Sequence, residues 1–281
     1  MSDYVEMQNK FIKEKLAEPN SYRLRYVAFL DLLGFKDITR EQDCASIKAF
    51  FNDIELIKYS FDAPLGDSIF GKEFIEDTEF TIMSDSIVIA TEDSYAGLSY
   101  LLFLCATIQS RLLTSSSQSL VLRGGISYGN YFKLHDLSFG PAMTAACLLE
   151  NQAVNPRVLV DPEIIKRLRI DGIIGQTGID QYFAELDPFE IMIKQFLTTF
   201  DDDFYFVDYF NPMELLRLSN SKNFAHNPIS TIQQTLQKGI NSENERVRQK
   251  YIWLRSFFNY KMRNSFFPDM SSYVMDSEAE I

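Results

Sequence analysis

Two aspartates in similar sequence contexts are the first candidates for chemistry. Asp31 lies near the end of the apolar run 28–35, and Gly34 follows it as a break. Asp85 lies in a Ser-Asp-Ser segment between two apolar arms, a pattern that predicts a β-hairpin with Asp85 at its tip. A carboxylate is costly to bury unless its charge is compensated. Two such aspartates at one end of a sheet can hold divalent cations, and the simpler interpretation of Asp31 as a helix cap stays open beside this one.

The composition narrows the classes of function. The chain has 281 residues and a formal net charge of −12, which argues against a general nucleic-acid-binding surface. A nucleotide ligand is still compatible, because a divalent metal can supply the local positive charge. The three cysteines have no metal-type spacing and predict reduced, mostly buried thiols. The N-terminus has no apolar signal segment and no apolar run is long enough for a bilayer, so the sequence predicts a soluble, cytoplasmic protein.

The order of elements predicts the fold class. The pattern is strand, helix, hairpin, helix, strand, helix, strand, which is an α+β order of the ferredoxin-like kind. The predicted elements are a strand at 24–32, a helix at 41–59, a loop at 62–77, the hairpin around Asp85, a helix at 95–113, strand 120–128, helix 140–150, strand 158–160, helix 162–168, strand 204–210 and a helical segment at 228–262. The apolar stripe of the last segment is assigned to core or dimer packing.

Alternation along the strands predicts which side chains share a face. Val27, Phe29 and Asp31 lie on one face of the first strand. Arg123 lies on the matching face of strand 120–128 if the opposite faces of both strands are packed. Helices cover one face of such a sheet, so we expect the face with Asp31 and Arg123 to be free for a partner or a ligand.

Four segments resemble the motifs of class III adenylate and guanylate cyclases. Residues 29–35 resemble their first metal motif, Phe-x-Asp-x-x-Gly-Phe, and Ser84-Asp85 resembles the second, usually Gly-Asp. Residues 122–129 resemble the strand that follows the next helix, and 140–150 resemble the helix Gly-x-x-Val-Asn-x-Ala-x-Arg-x-Glu. All four occur in the family's order. The strand and helix motifs look closest to the bacterial pyrimidine nucleotide cyclases of Pycsar antiphage defence, as do segments 207–210 and 251–259.

This resemblance implies a metal and phosphate site. It implies two metal ions, Mn²⁺ or Mg²⁺, held by Asp31, Asp85 and the backbone carbonyl of Leu32. Arg123 would be the cation on the phosphates or the transition state; a salt bridge at a subunit contact is an equal alternative for it. The turn after Asp31 would hold the terminal phosphates through its N–H groups and the following helix. The residues of this segment expected to contact the nucleotide are Phe29, Leu33, Gly34 and Phe35.

The base-reading positions depart from the purine cyclases. Thr81 occupies the position of their base-reading Lys or Glu, and Leu137 or Ser138 that of a second polar reader. The loss of both readers favours a pyrimidine, held by backbone groups or by an aromatic such as Tyr59. For Tyr59 an ordinary core role is the favoured interpretation.

Two further positions depart from the family. Thr144 replaces the ribose-orienting Asn, and Leu148 replaces the transition-state Arg. An apolar Leu cannot stabilise a pentavalent phosphate. Either Arg123 or another cation does this work, or the protein is a degenerate cyclase.

The sequence as a whole predicts a homodimeric cyclase that converts UTP, or CTP as second choice, to the 3′,5′-cyclic monophosphate and diphosphate. The resemblance implies a second messenger for antiphage immunity, read by a separate effector. A purine cyclase and a degenerate fold that only binds nucleotide or a protein partner are the alternatives. The expected organisation is an N-terminal helical segment (1–20), the cyclase core (21–170), a largely helical C-terminal extension packed on that core (171–268) and an acidic tail (269–281).

Overall fold

A long first strand and a buried central helix organise the chain. The computed structural model describes residues 6–7, 21–58, 70–114, 120–135, 137–175, 187–211, 215 and 227–275. The elements in chain order are β1 (Arg23–Leu33), α1 (Phe35–Glu41), α2 (Cys44–Leu56), α3 (Lys72–Asp77), β2 (Glu79–Met83), β3 (Ser86–Glu92), α4 (Tyr95–Thr114), β4 (Val121–Leu134), β5 (Leu137–Phe139), α5 (Pro141–Gln152), β6 (Val158–Val160), α6 (Pro162–Ile170), α7 (Pro188–Phe196), β7 (Leu197–Thr198), β8 (Phe206–Val207), α8 (Pro228–Ile240), α9 (Glu245–Arg263) and a 3₁₀ helix (Pro268–Tyr273).

The strands form one sheet with a ferredoxin-like centre. Its order is β2-β3-β1-β4-β6-β8-β7, with β5 paired to the end of β4. The first four strands pair with one another in antiparallel fashion. Helices connect β1 to β2 and β3 to β4, which is the ferredoxin-like arrangement. The predicted α+β fold class is therefore confirmed. Strand β6 pairs parallel with β4, and β8 and β7 extend the sheet from the C-terminal part of the chain.

The predicted register of the two inner strands is also confirmed. Asp31 pairs with Ser86 on β3 and with Arg123 on β4. Ala28 and Leu30 are fully buried in the main core, on the side of helix α4. Asp31 and Arg123 therefore lie side by side on the opposite face.

Helix α5 covers much of the face that the sequence leaves free. Val27, Val88 and Ala142 form a small buried cluster between this helix and the sheet. The approach is close at Gly125, where a Cβ would lie 2.4 Å from the backbone oxygen of Ala146. The expectation of a free sheet face is thus wrong over this area, because α5 packs on β1 and β4.

Helix α4 is the apolar centre of the other face. It is long and apolar enough to cross a membrane by length and composition, but 89% of its apolar window is buried inside the fold. The sheet, α7 and α8 pack around it. These contacts are those of a core helix.

The C-terminal part packs on the same core. Trp253 and Phe257 of α9 contact Phe206, with ring centroids 5.9 and 5.0 Å away, so the apolar stripe of this helix is core packing. The segment expected as an acidic tail packs on the fold as far as Met275, whose backbone N–H and C=O both hydrogen-bond the side chain of Asn259.

Several predicted bounds need correction. The predicted helix 41–59 shortens to Cys44–Leu56, because Asp43 caps its start by accepting from the N–H of Ser46 at 2.8 Å, and a separate helix, Phe35–Glu41, precedes it. The predicted loop 62–77 contains helix α3, and the predicted strand 204–210 shortens to β8. The helical segment 228–262 divides into α8 and α9. Of the cysteines only Cys105 is buried, while Cys44 is exposed.

Candidate active site

The structure brings the two candidate aspartates to one edge of the sheet. The backbone N–H of Leu32 donates to the backbone oxygen of Asp85 at 2.8 Å, so the tip of the β2–β3 hairpin lies against the end of β1. Asp31 is the residue before Leu32, and it lies directly opposite Ser86 of β3. The ladder between β1 and β3 therefore brings Asp31 and Asp85 to the same end of these two strands.

The hairpin presents Asp85 through a tight turn. Met83 and Ser86 pair directly, which leaves Ser84 and Asp85 as a two-residue loop. Ser84 has φ 58°, a left-handed conformation for which glycine is the usual residue. Holding a non-glycine residue there costs on the order of 1–3 kcal/mol, so the strand pairing must stabilise the turn.

The turn after Asp31 depends on Gly34, which has φ 95° and occupies the N-cap position of α1. Asp31 therefore does not cap a helix, and that interpretation is wrong. Phe35 is buried and packs on Phe51, with ring centroids 5.5 Å apart, while Phe29 is partly buried against the cluster under α5. Helix α1 has only seven residues, which limits its dipole, so a phosphate role for the N–H groups of this turn stays a prediction.

Arg123 forms ion pairs with two carboxylates. Its Nη2 lies 3.0 Å from Asp31 Oδ2 and 2.6 Å from Glu150 Oε1. All three groups belong to one chain, so Arg123 has two ion-pair partners within its own subunit. Glu150 was not predicted as a site residue. The available signal was its position as the final glutamate of the α5 motif.

Glu150 is held in an unusual environment for a carboxylate. Its side chain is only 6% exposed. Burial raises its pKa, the Arg123 charge opposes that rise, and the Asp31 charge adds to it. Glu150 Oε1 and Arg123 Nε both lack a hydrogen-bond partner among the described residues. The 2.6 Å contact between Arg123 Nη2 and Glu150 Oε1 is therefore an ion pair without good hydrogen-bond alignment, and Arg123 Nε is left as an unused donor.

Lys250 of α9 is a second cation near this group. Burial lowers the pKa of its ammonium, the charges of Arg123 and Arg246 lower it further, and the charge of Asp31 raises it. Lys250 thus lies within electrostatic range of the Asp31–Arg123 pair. No local motif could have identified it, because only the packing of α9 on the core brings it there.

The residues at this edge fit a divalent hard cation. Two carboxylates and the backbone oxygen of Leu32 are the oxygen donors that Mg²⁺ and Mn²⁺ prefer. Within the described ranges no group of three or more His, Cys, Asp or Glu side chains could hold a metal. Two carboxylates suffice for Mg²⁺, which usually keeps waters or takes substrate phosphates as its other ligands.

The predicted base-reading position contains one more polar group than expected. Lys133 Nζ donates to Thr81 Oγ1 at 2.8 Å. Leu137 is exposed, and Ser138 Oγ lies 4.0 Å from the sulfur of Met143. Strand β4 thus adds an ammonium beside Thr81 that the sequence analysis did not identify. Tyr59 lies outside the described residues.

The structure shows the surroundings of Thr144 and Leu148, the two positions of α5 that depart from the family motif. Thr144 Oγ1 donates to the carbonyl of Gly140 in its own helix at 3.2 Å. Leu148 is 59% exposed and does not enter the core. The cation missing at Leu148 must therefore come from another element if the site acts on phosphates.

No protein-family model matches the chain, and no curated protein matches it. Among solved structures it is similar to the adenylyl cyclase CyaB from P. aeruginosa, at 12% identity and a TM-score of 0.38, over 66% of this chain and 94% of that one. It is also similar to the catalytic core of a rhodopsin-guanylyl cyclase with converted specificity in complex with ATPαS, at 14% identity and a TM-score of 0.44, over 68% and 98%. It is similar as well to a bacterial light-regulated adenylyl cyclase, at 13% identity and a TM-score of 0.43, over 88% of this chain and 67% of that one. The fold class stated above rests on the strand order and register of this chain.

Proposed function

We propose that this chain is a nucleotidyl cyclase that makes a 3′,5′-cyclic nucleotide from a nucleoside triphosphate, with UTP as the favoured substrate. The observation that supports it most is the meeting of Asp31 and Asp85 through the Leu32–Asp85 hydrogen bond. The same edge holds Arg123, a cation suited to phosphates. These residues stand at the positions where the sequence resembles the cyclase motifs.

The proposed reaction is an internal displacement at phosphorus. The ribose 3′-oxygen forms a bond to the α-phosphorus, the bond to the pyrophosphate oxygen breaks, and the 3′-hydroxyl proton is lost. Two bound metal ions would supply activation of the attacking oxygen and neutralise phosphate charge. Asp31, Asp85 and the Leu32 carbonyl would hold them. Arg123 would stabilise charge on the phosphates, since one of its carboxylate partners would then be occupied by metal.

The preference for UTP rests on the base-reading position. The ammonium of Lys133 can donate to a base carbonyl, and uracil presents two such acceptors. Guanine also presents a carbonyl, so GTP is the purine rival that this arrangement favours. CTP remains the second pyrimidine choice.

The proposal includes a homodimer whose sites lie between two copies. Asp31 and Arg123 are neighbours in one chain, so mixing an Asp31→Asn chain with an Arg123→Ala chain should not restore activity. Mixing Asp31→Asn with Lys133→Met should restore it if the base pocket of one copy serves the metal site of the other. Sedimentation at micromolar concentration should show the dimer, and an active monomer would contradict this part. The cytoplasmic location, the effector and the role in antiphage immunity stay predictions from the resemblance.

One experiment tests the reaction and the base together. The purified protein is incubated with Mn²⁺ or Mg²⁺ and an equimolar mixture of the four nucleoside triphosphates, and the products are identified by mass. We expect cyclic UMP with stoichiometric, metal-dependent pyrophosphate release. Preferential cyclisation of ATP or GTP would overturn the pyrimidine assignment. Absence of any cyclic product and of pyrophosphate would favour the degenerate fold that only binds.

A further inference from the structure

One face of α9 and the chain just after β7 form a cleft of about 430 Å³. Its aromatic wall consists of Phe200 and Tyr260, whose ring centroids lie 5.2 Å apart. Arg255, Asn259 and Arg263 line the same cleft. These three residues are spaced by four positions, so they form one stripe along the helix.

The two arginines of the cleft are uncompensated within the part of the chain that the structure describes. Neither guanidinium forms an ion pair or a hydrogen bond with a described residue. Lys261 of the same helix, by contrast, binds Asp208 at 2.6 Å. Carboxylates are in excess in this chain, whose formal net charge is −12, so unpaired arginines beside aromatic rings are unusual here. The cleft therefore offers two positive charges to an anionic occupant.

The C-terminal part of the chain reaches this cleft at Met275. The N–H of Met275 donates to Asn259 Oδ1 at 2.8 Å, and its C=O accepts from Asn259 Nδ2 at 2.9 Å. On the helix Asn259 lies between Arg255 and Arg263, about one turn from each. The residues that follow Met275 therefore start beside the middle of the stripe.

The sequence of these following residues has the complementary charge. Residues 276–281 are Asp-Ser-Glu-Ala-Glu-Ile, with three carboxylates and no cation. The carboxylates alternate with other side chains, so an extended segment would present all three on one side. Asp276 and Glu280 would then be about 13 Å apart, and Arg255 and Arg263 are about 12 Å apart along the helix axis. The spacing of the charges is thus complementary as well as their sign.

We propose that this cleft binds the acidic segment, residues 276–281, of the same chain. The carboxylates of the segment pair with Arg255 and Arg263, and the segment lies across Tyr260. It fastens the end of the chain to α9 beyond the two hydrogen bonds of Met275. This inference is independent of the cyclase proposal, because it involves neither the candidate metal ligands nor a nucleotide.

The first experiment measures proximity by chemical coupling in the full chain. Arg255→Lys and Arg263→Lys each keep the positive charge and supply an amine, which a water-soluble carbodiimide joins to a nearby carboxylate as an amide. Peptide masses should show coupling of each introduced amine to a carboxylate of residues 276–281. The matched control is Arg246→Lys, exposed on the same helix and outside the cleft. It should couple to the segment at least about tenfold less, because only a bound segment has a high effective concentration.

Equal coupling at all three positions would overturn the inference. So would the absence of coupling at both cleft positions, which would leave the cleft to a separate anionic ligand. Mixing equal amounts of isotope-labelled and unlabelled chains before the reaction identifies whose segment is bound. Coupled peptides should carry a single isotopic form. Pairs that combine the two forms would show that the cleft binds the segment of a second copy, which contradicts the proposal.

The second experiment tests whether the two arginines hold the segment. A Glu-specific protease cleaves after Glu278 and Glu280 only when the segment is released. The double variant Arg255→Gln/Arg263→Gln should raise this cleavage rate at least about threefold, as expected for loss of two exposed ion pairs. Arg246→Gln should cleave at the wild-type rate, and thermal unfolding checks the fold of each variant. Equal cleavage rates in the folded wild type and double variant would overturn the inference.

Discussion

Arg123 and Arg157 each form ion pairs with two carboxylates, and their surroundings differ. Arg157 binds Asp202 with both terminal nitrogens, at 2.9 and 2.5 Å, and lies 3.5 Å from Asp201. Its guanidinium lies over both Phe206 and Trp253, at 5.5 and 5.7 Å from the ring centroids. Trp253 Nε1 in turn donates to Asp201 Oδ2 at 2.6 Å.

Arg123 uses a single nitrogen for both of its carboxylates. Nη2 contacts Asp31 and Glu150, and no bidentate pair forms. Its side chain is 28% exposed, against 6% for Arg157. A bidentate, stacked guanidinium is fixed in place and stabilises the fold. A guanidinium held by one nitrogen at an open edge keeps donors for a ligand. The comparison therefore indicates a structural role for Arg157 and supports the proposed phosphate-binding role of Arg123.

The largest effect should come from the aspartates beside Arg123. Asp31→Asn or Asp85→Asn should lower turnover on the order of 100-fold or more, because loss of a metal ligand removes several kcal/mol of charge stabilisation. Thermal unfolding should stay near that of the wild type. Asp53→Asn, at an exposed position of α2, is the matched control and should keep full activity. Near-normal turnover of either site variant at low Mn²⁺ would show that the two-aspartate site is wrong.

The next effect separates the charge of Arg123 from its structural contacts. The double variant Arg123→Gln/Glu150→Gln removes both partners of the buried pair, so its free energy of unfolding should change by less than about 1 kcal/mol. Its turnover should nevertheless fall roughly 100-fold if Arg123 stabilises phosphate charge. The single variant Arg123→Gln should be less stable than the double, because Glu150 then stays buried without a cation. Unchanged turnover in the double variant would contradict the assignment of chemistry to Arg123.

Arg157→Gln should show the opposite behaviour. Loss of the bidentate pair and of the aromatic stacking should lower the free energy of unfolding by about 1.5–3 kcal/mol, measured by urea titration. Turnover per folded molecule should not change, since the described contacts of this side chain are with Asp201, Asp202, Phe206 and Trp253 and include no candidate site residue. Arg263→Gln, exposed at the end of α9, serves as control for the loss of a positive charge. A fall in kcat without a fall in stability would break the distinction between the two arginines.

The smallest expected effect is on how the free energy of unfolding falls at acidic pH. The hydrogen bond from Arg157 lowers the pKa of Asp202 below its ordinary value of 3.8. A carboxylate with a lowered pKa in the folded state binds fewer protons than in the unfolded state, so its stabilisation is present above the unfolded pKa and is lost as pH falls through the folded one. Between pH 3.8 and more acidic values, the wild type should therefore lose stability more steeply than Asp202→Asn. Asp203→Asn is the control, and identical slopes for wild type and Asp202→Asn would contradict the prediction.

The sequence by itself determined the local elements around the site. The apolar alternation of β1, the hairpin around Asp85 and the continuous apolar character of α4 are short-range patterns, and the strand order follows from few connections between them. The matching faces of Asp31 and Arg123 were predictable for the same reason, because side chains alternate strictly along a strand. Helix caps were harder to predict from the sequence, and the start of a new helix after Asp43 was not predicted.

Only the tertiary structure decided which groups surround these aspartates. The packing of α5 over the sheet brings the buried carboxylate of Glu150 to Arg123, and α9 brings the charge of Lys250 within electrostatic range of Asp31. Neither contact has a local signal, because it depends on how helices distant in the chain rotate to bury their own apolar faces. The ammonium of Lys133 beside Thr81 arises in the same way, from the length of β4 beyond the predicted strand. Sequence patterns fix what each segment forms, whereas the charges that meet at an edge depend on the packing of all segments at once.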